Sequence, residues 1–152
     1  RAGPAVAPVP HATPRPAAAR GGEPEPLRVL HQWDADRARA YAAASPSGLG
    51  ALYAPGSSAG VHDAALLRRY RDRGLRVTGL RTQVLAIAVL ERRPGRWRLR
   101  VTDRIVGGSA VPLSRPGPAA ALPRDAPTTR VITLVRGEGP RWRVSGVAAT
   151  ER

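Results

Sequence analysis

The first candidate catalytic group in this sequence is a serine between two glycines in a pentapeptide. Gly56-Ser57-Ser58-Ala59-Gly60 matches the G-x-S-x-G pattern, in which a serine on a sharp strand-to-helix turn becomes a nucleophile. That pattern needs a preceding strand and, further along the chain, an acid followed by a histidine. Here the only later histidine is His62, and the preceding segment has helix and turn character. We therefore interpret the pentapeptide as a loop between helices.

Metal and cofactor chemistry has no recognisable donor pattern. The sequence has no Cys, which excludes disulfides, thiolate metal sites and cysteine nucleophiles. The spacing of His11, His31 and His62 is not that of metal ligands. A metal site formed by His31, Asp34 and His62 would require these side chains to meet in the tertiary structure, and the local sequence gives no sign that they do. Gly48-x-Gly50 lacks the third glycine and the preceding strand of a dinucleotide fingerprint, and no P-loop occurs. The sequence therefore predicts no metal and no cofactor.

Two near-repeats interleave aromatic and basic residues: Arg96-Trp97-Arg98-Leu99 and Arg141-Trp142-Arg143-Val144. Such a mixture on an open strand surface can stack bases and hold phosphates. Strand alternation, however, places tryptophan and arginine on opposite faces, so neither strand presents both on one surface. Two β-hairpins with inward tryptophans explain the repeats without nucleic acid. Exposed rings beside arginine would reverse this interpretation.

Positive charge is concentrated in the C-terminal half. Every basic residue is Arg, and fifteen of the 25 lie in residues 75–152, against five of the 11 acids. A field of that sign favours an anionic partner such as a lipid surface or a polyanionic wall polymer; the alternative is a solvated sheet face. The predicted anion-facing residues are Arg96, Arg98, Arg100, Arg141 and Arg143. The longest apolar run, residues 84–90, is far too short to span a membrane.

The first 24 residues have a composition unlike the rest. Pro, Ala and Gly dominate residues 1–24, which predicts a disordered, semi-rigid spacer in front of one domain over residues 25–152. Because the chain starts at Arg1 and not at Met, we expect that an export signal or an N-terminal membrane anchor preceded the spacer. An upstream domain is the alternative.

After the spacer, the apolar spacing predicts three helices before residue 75. The first carries a stripe at steps of three and four from Leu27 to Ala44, with Arg37 inside it and Asp34 mostly off it. Ser45-Pro46 ends this helix and starts a short second one. A third helix is predicted from about Val61 to Arg73. Its predicted inward residues are Leu66, Leu67 and Tyr70, and Gly74 is its C-terminal cap.

From residue 75 onward the period of the apolar residues becomes that of strands. Residues 75–92 have an apolar middle that predicts burial on both faces. Residues 97–106 alternate, and Gly107-Gly108 permits a bend before residues 110–113. Residues 114–127 hold four prolines and are predicted to be an irregular connection, followed by strands at 128–136 and 141–149. The predicted fold class is α+β, with three N-terminal helices packed on a curved, mostly antiparallel sheet.

Residues 41–56, YAAASPSGLGALYAPG, after an amphipathic helix, together with Arg141-Trp142-Arg143-Val144, resemble the nuclear transport factor 2-like superfamily, which includes SnoaL-like cyclases. The similarity covers about residues 26–149, and the whole arrangement also resembles exported actinobacterial members of the superfamily. It implies a conical pocket between the helices and the sheet. Pro46-Ser47 replaces the Gly-Asp that is usual in the family, so a common helix-capping carboxylate is missing. The expected pocket residues are Trp33, Arg37, Tyr41, Tyr53, Tyr70, Trp97, Asp103 and Trp142; the rings among them could equally be core packing.

The resemblance also implies a catalytic alternative, in which a pocket carboxylate abstracts a proton next to a carbonyl. The candidate base is Asp103, which shares the strand phase of Trp97, with Tyr41 or Tyr53 as donor to the developing oxyanion. The structural alternative is an ion pair between Asp103 and an arginine that fixes a helix against the sheet.

We therefore expect an exported or membrane-anchored, non-catalytic accessory or binding module on the extracytoplasmic face of the cell envelope. Its partner would be an unknown protein or an anionic envelope component, with a homodimer as a further option. Membrane contact would come only through a removed N-terminal anchor or through surface charge, and nucleic acid is disfavoured. The alternative function is a small-molecule isomerase, cyclase or dehydratase that uses Asp103.

Overall fold

The computed structural model describes residues 25–137 and 139–150, so the predicted spacer at 1–24 lies outside the described residues. Three helices come first and five strands follow. The helices are α1 (Glu25–Ala42), α2 (Pro46–Gly50) and α3 (Ser58–Asp72); the strands are β1 (Leu75–Arg93), β2 (Arg96–Pro112), β3 (Ala120–Ala121), β4 (Thr128–Arg136) and β5 (Trp142–Ala149).

Two serine caps set the boundaries of the shorter helices. Ser45 Oγ accepts a hydrogen bond from the backbone N–H of Gly48 and starts α2, as the sequence predicts. Ser57 Oγ accepts one from the N–H of Gly60, so α3 begins at Ser58 and not at Val61. The glycine-framed pentapeptide therefore spans a turn and the first turn of α3.

The inward face of α3 differs from the predicted one. Leu66 is 38 % exposed, so its predicted inward position was wrong. Its buried residues are Gly60, Asp63, Ala64 and Leu67, and Tyr70 is half-buried, so Asp63, Leu67 and Tyr70 follow one another at steps of four and three on the inward face. The helix thus turns a carboxylate toward the core.

The sheet is antiparallel, with strand order β1-β2-β4-β5, and β3 pairs with β2 beyond the end of β4. The β1–β2 register shifts at four places between Thr78 and Glu91, and such bulges bend a strand and increase its twist. Strand β2 continues through Gly107-Gly108 because Ala110 pairs with β1 on one side and β3 on the other. The predicted bend therefore lies inside one long strand, where the β1–β2 register shifts beside Gly107.

Burial of β1 on both faces was wrong. This strand forms an edge of the sheet, and Leu85, Val89 and Leu90 are 46 %, 48 % and 40 % exposed. Its apolar middle therefore marks an open edge and not a sandwiched strand.

The core lies between the three helices and the concave side of the sheet. Its fully buried side chains are Leu30, Leu49, Leu67, Val77, Leu99, Val101, Leu134 and Val144. They come from both layers, as expected where each element buries its apolar face against the other. The predicted α+β class is thus confirmed. Among the described helices, none has the length and apolar character needed to cross a membrane.

Candidate functional site

A cavity of about 160 Å³ lies between α1 and the sheet. Helix α1 contributes Leu30, Trp33, Asp34 and Arg37, which share one face because they are spaced by three, one and three residues. The sheet side contributes both apolar and charged groups. The residues from the strands and connections are Tyr53, Thr82, Asp103, Arg104, Ile105, Asp125, Thr128, Arg130, Ile132, Val144 and Val147.

Asp103 lies on the cavity wall and is bound by an arginine of the next strand. It is 5 % exposed, and Arg130 Nη2 donates to its Oδ1 at 2.7 Å and its Oδ2 at 2.8 Å. Arg130 is the cross-strand partner of Val101, two residues from Asp103 on the same face. The ion pair therefore ties β2 to β4, not a helix to the sheet. Arg130 Nε is buried and has no hydrogen-bond partner among the described residues.

Asp34 is the second carboxylate of the cavity, although the sequence analysis placed it off the α1 stripe. It follows Leu30 by four residues and precedes Arg37 by three, so it belongs to the same face. Its Oδ2 is buried and has no hydrogen-bond partner in the described part of the chain. Burial raises the pKa of Asp34 from 3.8 to about 6, against the opposing charge of Arg37 and with a further rise from the Asp103 charge.

A four-residue network that the sequence analysis missed borders the cavity through Arg37 and Tyr53. Arg37 Nε and Nη2 donate to the two carboxylate oxygens of Asp63, each at 2.7 Å. Tyr53 Oη donates to Asp63 Oδ2 at 2.7 Å, and Tyr41 Oη donates to Asp63 Oδ1. Asp63 is 8 % exposed, so these donors replace the water that its charge would otherwise need.

The titration behaviour of this network follows from its contacts. Burial alone would raise the pKa of Asp63, but the hydrogen bonds and charge of Arg37 and the two tyrosine hydroxyls outweigh it, so the pKa is lowered. Burial and the neighbouring Asp63 raise the pKa values of Tyr41 and Tyr53. Both tyrosines therefore stay protonated at neutral pH and donate to a carboxylate that is ionised there.

A sequence signal for this network existed. Arg37 lies in the apolar stripe of α1, and Asp63 precedes Leu67 by four residues on the inward face of α3. Opposite charges on the inward stripes of two helices must find each other or stay unpaired at high cost. Reading α3 from Asp63, and not from Leu66, would have predicted the pair.

The predicted pocket residues divide among several places. Trp33, Arg37, Tyr53 and Asp103 line the cavity itself. Tyr41 and Tyr70 line a neighbouring cavity of about 230 Å³, which shares Arg37, Ile105 and Asp125 with the first. Trp97 is 4 % exposed in the core, and Trp142 lines a separate groove beside α1. Trp33 is fixed by a hydrogen bond from its Nε1 to the carbonyl oxygen of Leu52 and by edge contact with Tyr53.

The two tryptophans of the near-repeats stack on each other. The ring centroids of Trp97 and Trp142 lie 3.9 Å apart, with Arg92 over Trp97 and Arg136 over Trp142. Because one ring is buried and covers the other, the pair is packing and not an open platform for bases. The arginines predicted to face an anionic partner are all on the surface: Arg96, Arg100, Arg141 and Arg143 are exposed, and Arg98 is half-buried beside Glu91.

Metal-ligand donors do not gather in the described ranges: no three His, Asp or Glu side chains there lie close enough together to hold an ion.

Sequence comparison adds no relative: no protein-family model matches the chain, and no curated protein matches it significantly. Solved structures do match. Aln2 from a Streptomyces species superposes with a TM-score of 0.53 at 17 % identity, over 83 % of this chain and 90 % of that one. The intermembrane space region of the chloroplast protein ARC6 gives 0.54 at 12 % identity, over 82 % and 95 %.

An NTF2-like protein of unknown function in nutrient uptake from Rhodospirillum rubrum also matches, with a TM-score of 0.45 at 15 % identity, over 80 % of this chain and 98 % of that one. At these identities the likeness concerns the fold alone. With three helices held in the concave side of a bent antiparallel sheet, the chain shares the cone-like α+β fold of these solved structures.

Proposed function

We propose that the cone cavity binds a small polar organic molecule. One observation carries this proposal: Asp34 and Arg130 line the same cavity, and each keeps a buried polar atom without a partner among the described residues. Such atoms are rare in folded proteins because each costs about 1–3 kcal/mol when it is left unsatisfied. A ligand oxygen that accepts from Arg130 Nε–H, and also from Asp34 Oδ2 when that carboxyl is protonated, would remove that cost.

The size of the cavity limits the ligand. An engineered protein cavity of about 150 Å³ holds one benzene ring, so about 160 Å³ accommodates a single small ring or a short chain. Leu30, Ile132 and Val144 supply apolar contacts, while Asp34 and Arg130 lie on the polar side. A cyclic ketone has this combination of an apolar ring and one hydrogen-bond acceptor.

Cyclohexanone is a suitable probe, followed by two-dimensional ¹⁵N–¹H spectra of the intact chain. The chain has three tryptophans, and only Trp33 lines the cavity, so we expect saturable shifts of its indole N–H signal and not of the Trp97 signal. Val147 lines the cavity and is 37 % exposed, so Val147→Phe should fill the space and abolish the shifts. The matched control is Val61→Phe, at a position 65 % exposed on another face. Equal binding by both variants, or no shift of the Trp33 signal, would overturn the proposal.

A second candidate function is proton transfer, which the pKa of Asp34 favours. A base with a pKa of about 6 is half-ionised close to neutrality, where general-base catalysis works best. Asp34 would take a proton from the carbon next to a ligand carbonyl, and Arg130 Nε–H would stabilise the enolate oxygen that forms. In a β,γ-unsaturated ketone, return of the proton from Asp34 to the γ-carbon moves the double bond into conjugation and completes an isomerisation with no other reactant.

This candidate differs from the one predicted with Asp103 and the tyrosines. The Asp103 carboxylate is held by Arg130, and the hydroxyls of Tyr41 and Tyr53 both donate to Asp63. Deuterium incorporation into cyclohexanone in D₂O tests the proton transfer. We expect exchange that Asp34→Asn abolishes and Asp36→Asn, two residues along the same helix, leaves intact. Exchange that survives in Asp34→Asn would assign the proton transfer to another group.

The predicted setting at the cell envelope remains a proposal. Its support is the Pro/Ala-rich composition of residues 1–24 and the exposed guanidinium groups of Arg96, Arg100 and Arg143. Co-sedimentation with vesicles containing anionic lipid should fall as salt rises and should weaken when these three arginines are replaced by glutamine. Binding that salt does not reduce would contradict the electrostatic part.

A further inference from the structure

A further cavity adjoins the cone and differs from it in charge, because the lining of the cone includes both Asp and Arg side chains. It is an open groove of about 520 Å³ lined by His31, Arg81, Thr82, Gln83, Val84, Arg104, Val106 and Arg124. No carboxylate is among these residues. Thr82 and Arg104 line both the groove and the inner cavity, so the two spaces share a wall.

The three guanidinium groups of the groove lack an acidic partner within the part of the chain that the structure describes. In the ranges 25–137 and 139–150, none of Arg81, Arg104 and Arg124 has a carboxylate within ion-pair distance. Arg104 Nε donates to Gln83 Oε1 at 2.9 Å, which fixes the plane of that guanidinium and leaves its terminal nitrogens available. Three like charges kept together without an acid raise one another's energy, and a bound anion relieves this repulsion.

The connection between β3 and β4 holds the groove next to the cone. The backbone N–H of Asp125 donates to the carbonyl oxygen of Ile105 at 3.3 Å, which keeps this connection on β2. The consecutive residues Arg124 and Asp125 then line different spaces, Arg124 the groove and Asp125 the inner cavity. A ligand that extends past Thr82 would thus leave the cone among arginines.

The other basic groove of the molecule shows that arginine content alone does not make such a site. Arg28, Arg39 and Arg141 line the groove beside Trp142, but Asp36 lies among them and pairs with Arg39. That groove carries its own counter-charge. It therefore supplies control positions with the same residue type and the same change in net charge.

We propose that the groove formed by Arg81, Arg104 and Arg124 is an anion subsite, and that the ligand of the cone is a small organic anion whose carboxylate or phosphate lies in this groove. This inference rests on the proposed binding function and adds the charge class of the ligand. Guanidinium groups suit both anions because their N–H donors match paired oxygens. The neutral polar end of the same molecule would lie in the cone beside Asp34.

The test compares two probes that differ in one group: cyclohexanone, and cyclohexanone that carries a carboxylate on the ring carbon opposite the ketone. Dissociation constants come from titrations at low salt, monitored by the Trp33 indole signal together with the backbone amide signals of Ile132 and Val144, because Trp33 also lines the groove beside Trp142 whereas these two residues line the cone. We expect the carboxylate probe to bind at least about tenfold more tightly than the ketone, because it adds charge-assisted hydrogen bonds. Inorganic phosphate serves as a third probe, for the groove alone.

The matched variants are the double substitutions Arg81→Gln/Arg124→Gln and Arg28→Gln/Arg141→Gln, which lower the net charge equally. The first pair lines only the anion groove, so it should remove the tenfold advantage and leave cyclohexanone affinity unchanged. The second pair should change neither the advantage nor the cyclohexanone affinity. Equal affinities of the two probes for the native chain, or equal losses in both double variants, would overturn the subsite and leave cone binding standing. If neither ring probe shifts the Trp33 signal, the proposed cone binding is refuted, and the phosphate titration then tests the anion subsite by itself. Phosphate binding that is lost only in Arg81→Gln/Arg124→Gln supports the subsite. Any other phosphate result overturns the subsite.

Discussion

Replacing Asp34 by asparagine should stabilise the protein above neutral pH and have little effect in acid. The folded state raises the pKa of Asp34 from 3.8 to about 6 because burial disfavours the carboxylate. Between these two values the folded state holds a proton that the unfolded chain releases, so stability falls as pH rises through this window. The full interval corresponds to about 3 kcal/mol, and residual solvent contact of the half-buried residue reduces the expected gain to about 1–3 kcal/mol.

Urea unfolding monitored by tryptophan fluorescence at about pH 8 and about pH 4 measures this difference. The native chain should be less stable than Asp34→Asn at the higher pH, and the difference should nearly vanish at the lower pH, where the folded carboxyl is protonated and the unfolded one is close to half-protonated. Asp36→Asn is the control, because Asp36 lies on the same helix and contacts Gln32 and Arg39 at the surface. If Asp34→Asn gains nothing at high pH, or gains equally at both, then burial does not set the proton affinity of this carboxyl.

Two further substitutions test the packing around the site. Arg37→Met leaves the buried Asp63 carboxylate without its counter-charge and should lower the free energy of unfolding by about 3 kcal/mol or more. The double variant Arg37→Met/Asp63→Leu should recover part of this loss. Strictly additive losses in urea titrations would show that the two residues act independently. Gly60→Ala places a Cβ 2.8 Å from Tyr53 Cβ and should lower the free energy of unfolding by about 1–3 kcal/mol, although alanine has the better helix propensity. Gly50→Ala has open space around the new Cβ and should be neutral or slightly stabilising. Thermal melts that rank the two variants the other way would contradict this prediction.

The inward face of an element is predicted well from the sequence where only apolar residues define its period. It is predicted less well where a polar residue lies within the apolar stripe. The alternation of Trp97, Leu99 and Val101 places them inward, and all three are buried. Asp34 and Asp63 break the apolar pattern of their helices, although their spacing puts both on the inward face. The burial of the Asp63 carboxylate depends on Arg37, Tyr41 and Tyr53, which come together with it only in the tertiary structure.

The remaining differences have the same origin. Neither the edge position of β1 nor the ion pair between Asp103 and Arg130 can be derived from local spacing, because both depend on strand order. The chain runs β1, β2, then past β3 to β4, and this order alone decides which strand lies beside open solvent. The cavity was expected from the family resemblance, while its two unpartnered polar atoms become visible only when side chains from α1 and β4 are placed together.

One wall of the cone is helix α1 and the opposite wall is the hydrogen-bonded ladder of strands β2 and β4. This difference controls how a ligand can enter the cone. Strands β2 and β4 are cross-linked by eight consecutive residue pairs, whereas α1 adheres to the sheet through side chains only. Widening the cone therefore requires an outward tilt of α1, since separating the strands would break the ladder. Occupancy of the cone and solvent exchange of the α1 amides would then be thermodynamically linked, with a bound guest slowing exchange along the helix and leaving the ladder unaffected.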